Sequence, residues 1–368
     1  MPAAKSPSLL RLRLRRFRRI KRGYYSFVVL AGAYLGSFFL PFVMGHRPLM
    51  VRYEDSWYFP AMRSYVYDTF GLGSSHILPA GVLGQTMVDG QPVPAGAEAD
   101  YRGLQRQYAA EGAGNWVLMP FFPWSPYEKI AETGTPPAPP MAHHWMGTDT
   151  AGRDVFIRLA YGYRVSITFA LVVVLVAYTI GTLVGAFLGY FGRWLDMVGL
   201  RLVEIWSAIP FLYTVMILAS LFRPNFALLV AILSVFGWMT ITYYVRGEFY
   251  REKAKDYVQA AIAVGEPHAA IMVKHILPNA LTPIIAFAPF AIVGTIGALV
   301  SLDFLGFGLP APTPSWGELL RQAKDSGFTK WHLVVFPLGI LFVTLQLIVF
   351  IGEAVREAFD PKVYSRLR

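Results

Sequence analysis

Residues 166–190 read SITFALVVVLVAYTIGTLVGAFLGY, a run that contains no charged residue. A helix crosses the hydrocarbon core of a bilayer in roughly 17–25 residues. The run is apolar on every side rather than along one stripe, so it reads as a membrane span and not as an amphipathic soluble helix. Stretches at 24–44, 200–222, 226–245, 280–305 and 332–353 share that character. The expected fold is an all-α membrane protein with six transmembrane helices. The first run is too long for a signal-peptide core and no small-residue cleavage site closes it, so it reads as retained.

Composition agrees with this reading. Apolar residues make up 55% of the chain and charged residues 15%, against roughly 45–50% and about 25% in soluble domains. The net charge of +10 does not point to nucleic acid, because nine of the 33 Lys and Arg fall within the first 22 residues, directly before an apolar run. That placement is topological. A cytoplasmic N-terminus puts twenty Lys and Arg inside and only Arg223, Arg321, Lys324 and Lys330 in the short outer loops. Both termini are therefore expected in the cytoplasm, with the basic arm also drawn to anionic lipid. There is no cysteine, which excludes disulfides, thiolate chemistry and Cys-ligated metal.

The chain then divides into a basic arm (1–23), the first span (24–44), a long extracytoplasmic segment (45–165), a five-helix core (166–353) and a cytoplasmic tail (354–368). The 45–165 segment is rich in Gly, Pro and aromatics, with VRYEDSWYFP at 51–60 and TPPAPP at 135–140. This predicts a small outer subdomain followed by an extended spacer. Gly147-Thr148-Asp149 and Gly152-Arg153-Asp154 close it. Thr148 or Asp149 can cap a helix and Asp154 can pair with Arg158 one turn on, predicting a short amphipathic surface helix before the second span.

Nothing in the chain supplies energy. A phosphate-binding loop needs Gly-Lys, and that dipeptide is absent. His143 and His144 are adjacent, so a helix cannot turn both toward one metal. No cofactor or metal is expected in this chain. Glu204, Asp303 and Glu353 lie at span ends, where interfacial or capping roles suffice, and the second and fourth spans carry no charge. Proton or sodium coupling needs a carboxylate deeper in the membrane, which leaves an ion-coupled secondary peptide carrier as the alternative.

The stretch 246–279, RGEFYREKAKDYVQAAIAVGEPHAAIMVKHILPN, is polar and too long for a turn. Tyr257, Ala260, Ala261 and Val264 lie on one helical face. Gly265 suits a left-handed stop, Pro267 the first turn of a second short helix, and Pro278 the start of the fifth span. Small Ala260 and Ala261 allow another surface to approach closely. In the second span, Gly181, Gly185 and Gly189 recur every four residues, the spacing of close helix packing.

Ala260-Ala261-x-x-x-Gly265 with Leu277-Pro278 resembles the EAA loop of ATP-binding-cassette import permeases, with Gln259 where that family has Glu. Asp256 and Tyr257 belong to the same loop. The Gly147–Asp154 motif resembles the signature of the oligopeptide and dipeptide permease C subfamily. So do Asp303-Phe304-Leu305-Gly306 with Gly308, and Ser315-Trp316-Gly317, after the fifth span. The outer segment and the tail FIGEAVREAFDP (350–361) resemble the YejE-type subgroup of microcin-C and peptide importers. The resemblance implies a type I importer permease fold and a heterodimer with a second permease subunit. It also implies two cytosolic ATPase domains (or one fused ATPase) that bind ATP and Mg, and an extracytoplasmic peptide-binding protein. Asp256, Tyr257, Gln259, Ala260, Ala261, Gly265, Leu277 and Pro278 would then contact the ATPase. The setting implied is a bacterial inner membrane.

Overall fold

A computed structural model describes residues 9–53, 55–62, 87–88, 91–92, 101–112, 114–130 and 134–359. The start of the basic arm, parts of the 45–165 segment and tail residues 360–368 lie outside the described residues. The chain forms two compact units, one of 1–33 with 165–368 and one of 34–164.

In the first unit the long apolar runs become α5 (Val155–Phe191, its early turns lying in the other unit), α6 (Arg193–Ser207), α7 (Phe211–Leu221), α8 (Phe226–Lys253), α10 (His268–Leu305) and α12 (His332–Phe359). Among the described residues, four helices are long and apolar enough to cross a membrane, and the bent pair α6–α7 makes five. The expectation of six is corrected at two places. The 200–222 run is broken at Ala208-Ile209-Pro210 and bends by 67°, because Pro210 cannot continue the hydrogen-bond ladder. The first run becomes α2 (Lys21–Ser37), which follows the basic α1 (Leu9–Arg19), and a separate one-turn α3 (Leu40–Val43). A turn at Phe38-Phe39 and Pro41 divide them, and seventeen residues of helix reach only about 26 Å.

Close packing of α5 on α8 organises the unit. A Cβ at Gly181 would strike the Trp238 carbonyl, one at Gly185 would lie 2.6 Å from the Thr242 carbonyl, and one at Gly189 2.8 Å from Phe249 Cβ. Thr242 Oγ1 donates to the Gly181 carbonyl at 3.2 Å across this contact. Two cores flank it. Near the start of α5, Phe169 and Val173 pack with Val215, Leu229, Leu233 and Leu302. Near its end, Ala186 and Tyr190 pack with Val245, Phe249, Ile271, Ile276 and Ala280. Arg22 pairs with Glu353 at 3.1 Å and Arg13 stacks over Phe359. The start of α2 therefore meets the end of α12.

The second unit departs from an all-α reading. β1 (Met50–Tyr53) pairs antiparallel with β2 (Ser56–Tyr58) and, in the order β2-β1-β5, with β5 (Trp116–Leu118). A ribbon joins β3 (Met87–Val88) to β4 (Gln91–Pro92). Helix α4 (Tyr101–Glu111) packs Tyr101, Leu104 and Tyr108 on Val51 and Val117.

The amphipathic helix expected before the second span is instead the opening of α5. Asp154, rather than Thr148 or Asp149, caps it, accepting from the Ile157 amide at 3.0 Å. Arg158 turns away from Asp154 to the Asp149 carboxylate and the Pro126 carbonyl.

Substituting Gly185 by leucine is expected to force α5 and α8 apart. A loss of about 1–3 kcal/mol is the expected result in thermal unfolding of the detergent-solubilised chain, whereas Gly247→Leu, on the open side of α8, leaves the midpoint nearly unchanged.

Candidate functional site

The polar stretch between α8 and α10 folds into α9 (Asp256–Ala263) at the end of the bundle where α5, α8 and α10 converge. Buried Val258 roots it against Phe249, Ile271 and Ile276. Gly265 has φ +81° and ends the helix: its amide donates to the Ile262 carbonyl, and that of Glu266 to the Ala261 carbonyl. A residue with a Cβ is strained in that conformation, although nothing lies within 4 Å of the position. The left-handed stop read from the sequence is thus present.

The Tyr257 hydroxyl ties the three helices together. It donates to Glu252 Oε2 at the end of α8 (2.6 Å) and accepts from Asn279 Nδ2 of α10 (3.0 Å). Lys255 adds a 2.6 Å ion pair to Glu252, and Gln259 Nε2 donates to the Lys253 carbonyl. Burial of the hydroxyl, with the Glu252 hydrogen bond second, pushes the Tyr257 pKa up to about 12. It therefore remains a donor to Glu252 throughout the physiological range. Lys253 Nζ reaches the Tyr190 carbonyl and the Tyr190 ring, and Tyr190 Oη meets His268 Nδ1 at 2.7 Å. Sequence reasoning singled out Tyr257 but missed Glu252, Asn279 and Tyr190, whose partners lie on other helices.

What α9 does not bury is as informative. Asp256, Gln259, Ala260, Gly265 and Pro278 are exposed, Ala261 and Leu277 half-buried, and Val264 is 87% exposed. The structure thus presents a firmly rooted helix with a small-residue, partly apolar outer surface.

The second short helix expected after Pro267 is not separate: α10 starts at His268 and runs unbroken to Leu305. Residues Ile271–Ile276 are π-helical, with the Leu277 amide donating to the Met272 carbonyl. Pro278 explains the widening, since its ring would clash with the Lys274 carbonyl in a regular α-helix.

The other two motifs form closed structural knots. Asp149 Oδ1 accepts from the amides of Ala151 and Arg153, its Oδ2 from Arg153 Nε, and Thr148 Oγ1 accepts from the Ala138 amide. His144 Nδ1 meets Asp154 Oδ2 at 2.6 Å. Thr148, Asp149, Arg153, Asp154 and Arg158 are all buried, and Gly147 and Gly152 both adopt positive φ.

After α10, Gly306 (φ +90°) reverses the chain so that Asp303 accepts from the Leu309 amide and the Ser315 hydroxyl. Gly308 and Gly317 lie against Asp303 too closely for any side chain. Buried Trp316 opens α11 (Trp316–Asp325). Phe304 carries Lys324 over its ring, and Leu305 is exposed. Among the described residues no cluster of His, Asp and Glu could hold a metal ion.

Tyr257→Phe removes only the hydroxyl. Hydrogen exchange across 256–264 is expected to quicken on the order of tenfold, the worth of about one hydrogen bond, while exchange in the α5–α8 contact stays unchanged.

Residues 181–364 match the family described as the binding-protein-dependent transport system inner membrane component. The chain is 39% identical to the inner membrane ABC transporter permease protein YejE of Escherichia coli K12, over 94% of this chain and 95% of that protein. It is 33% identical to the peptidoglycan transport system permease protein YejE of Agrobacterium fabrum, over 97% and 94%. Identity to the oligopeptide transport system permease protein OppC of Haemophilus influenzae is 38%, over 66% of this chain and 78% of that one. On the strength of this match and of a multi-span helical bundle, the chain belongs to the inner membrane component family of binding-protein-dependent transport systems.

Proposed function

We propose that this chain is a permease subunit of an ATP-binding-cassette importer for peptides, of the YejE type, with oligopeptides and microcin-C-like peptides as cargo. It forms half of the translocation path with a second, related permease subunit. Two cytosolic ATPase domains, or one fused ATPase, bind ATP and Mg, and an extracytoplasmic binding protein delivers the peptide. The chain itself hydrolyses nothing. The carrying observation is α9: a helix anchored to α8 and α10 through one tyrosine hydroxyl, with its outer surface bare. Closure of the ATPases around that surface moves α8 and α10 together and alternates access to the path.

The same reading assigns both termini to the cytoplasm. Arg22 and Glu353 are paired at the Tyr190 end of the bundle, so the first and last helices share a side. The 45–165 segment, which follows the first apolar run, then lies on the extracytoplasmic side. In the most apolar stretches of α10 and α12 only 17% of residues are buried within the chain, which leaves broad faces for lipid and for the second permease. A cavity of about 430 Å³ lined by Tyr178, Tyr244, Phe287, Phe290, Gly294 and Thr295 suits the apolar side chains of a peptide.

The test replaces Gly265 by tryptophan in the complete transporter reconstituted in liposomes. Stimulation of ATP hydrolysis by loaded binding protein is expected to fall on the order of tenfold, a coupling loss of 1–3 kcal/mol, with the subunits still copurifying. Undiminished stimulation and uptake would remove α9 from the coupling path. Uptake that outlasts ATP depletion and collapses with the proton gradient would favour the ion-coupled carrier.

A further inference from the structure

The three-stranded sheet of the 34–164 unit uses one face for its core and leaves the other bare. Val51, Tyr58 and Val117 point toward α4. Alternation along the strands sends Met50, Arg52, Trp57, Trp116 and Leu118 to the opposite face. Register places Arg52 between Trp57 and Trp116, and Met50 opposite Leu118. The two indoles meet edge to face at 5.6 Å, and the Arg52 guanidinium lies 5.8 Å from the Trp57 ring. Trp57 is 52% exposed, Trp116 37% and Leu118 45%. Side by side, they form an apolar platform of a kind that marks a contact surface rather than a solvated one.

The backbone indicates what covers it. β1 begins seven residues after α3 ends. The Phe122 amide donates to the Val43 carbonyl, Gly45 to the Phe122 carbonyl and Leu49 to the Leu118 carbonyl. The platform is thus zipped to the residues that leave α3. Met44 packs with Ile157 and Tyr161 in the first turns of α5, and Tyr161 Oη donates to the Met44 carbonyl at 2.8 Å. Ile157 and Tyr161 stand only five to nine residues before the uncharged run 166–190 of the same helix, the stretch read as a membrane span. An aromatic collar lies beside these turns: Phe122 contacts Phe121, Trp145 and Phe156 at 4.9–5.2 Å, and Phe121 and Trp145 are exposed. Tryptophan concentrates at membrane boundaries because its ring is apolar and its N–H polar. Arginine there keeps its stem in the apolar layer and its charge at the headgroups.

We propose that the Trp57–Trp116 face is a lipid-contact surface that seats the sheet on the outer leaflet, with Arg52, paired to the exposed Asp55 carboxylate at 2.8 Å, at its polar edge. The assignment to the outer leaflet rests on the topology proposed above; the contact with lipid does not.

The chain has no cysteine, so a single introduced thiol carries a probe uniquely. Trp57→Cys and Leu118→Cys are compared with Ala110→Cys, on the exposed side of α4, in the full-length chain. Each is labelled with an environment-sensitive fluorophore in sealed vesicles of mixed zwitterionic and anionic phospholipid. Nitroxide-bearing lipids are expected to quench the probes at 57 and 118 roughly threefold more than the one at 110, and aqueous iodide the reverse. Iodide access at 57 and 118 equal to that at 110 would overturn the proposal. So would protection from both quenchers, or protection only after the binding protein or the other subunits are added, since a protein surface would then be the cover. A Val264→Cys probe tests the topology separately. Iodide from only the side opposite Ala110 upholds it, and access from the same side refutes the leaflet assignment while leaving the lipid contact to stand on its own quenching.

Discussion

Inside a bilayer no water competes for backbone polar groups, and apolar surface gains nothing by being buried against another apolar helix. Association has to come from contact at short range. Gly181, Gly185 and Gly189 provide it, letting the backbone of α8 approach α5 where any side chain would hold it off. The rest of the bundle depends on that approach. It carries Phe249 and Val245 into the core beneath Val258, and so fixes the ground on which α9 stands.

The two carboxylate motifs and the loop treat polar groups in opposite ways. In the Asp149 and Asp303 knots the carboxylates are buried and surrounded by amides, hydroxyls or guanidinium groups. Such a network is costly to open, because each group released would be left in a medium that cannot solvate it. Around α9 the buried polar contacts are few, and the helix surface beyond them is free. A strong root and an open tip are what the coupling role proposed for α9 requires.

Much of this was legible in the chain itself. Long uncharged runs identify α5, α8, α10 and α12 because hydrophobic length is a strong signal, and Gly265 ends a helix because few other residues tolerate its backbone angles. The broken first run was harder to see: Pro41 lies late in it, and apolar content masks the change of direction at Phe38-Phe39. The sheet was invisible because its strands are three or four residues long and β1 pairs with β5 from far along the chain, leaving no local alternation to read. Arg158 was assigned to the nearest carboxylate, Asp154, on helical spacing. The fold instead brings Asp149 to it and gives Asp154 to His144 and the helix cap. Spacing along a helix reveals which pairs can meet, whereas loop tertiary structure decides which ones do.

The π-helical turn shows how one residue joins these themes. Pro278 removes an amide from α10 and would crowd the Lys274 carbonyl, so the helix widens over Ile271–Ile276 just where it leaves the loop. Widening leaves carbonyls in need of donors. Asn279 answers for one, bonding the His275 carbonyl at 3.0 Å while also donating to Tyr257. The irregular turn of α10 and the anchor of α9 are thus secured by the same side chain. A displacement of α9 cannot leave that turn unchanged, because the Tyr257 hydroxyl moves with it. Under the coupling role proposed for α9, the least regular place in α10 is therefore the one through which force from the loop would enter the span.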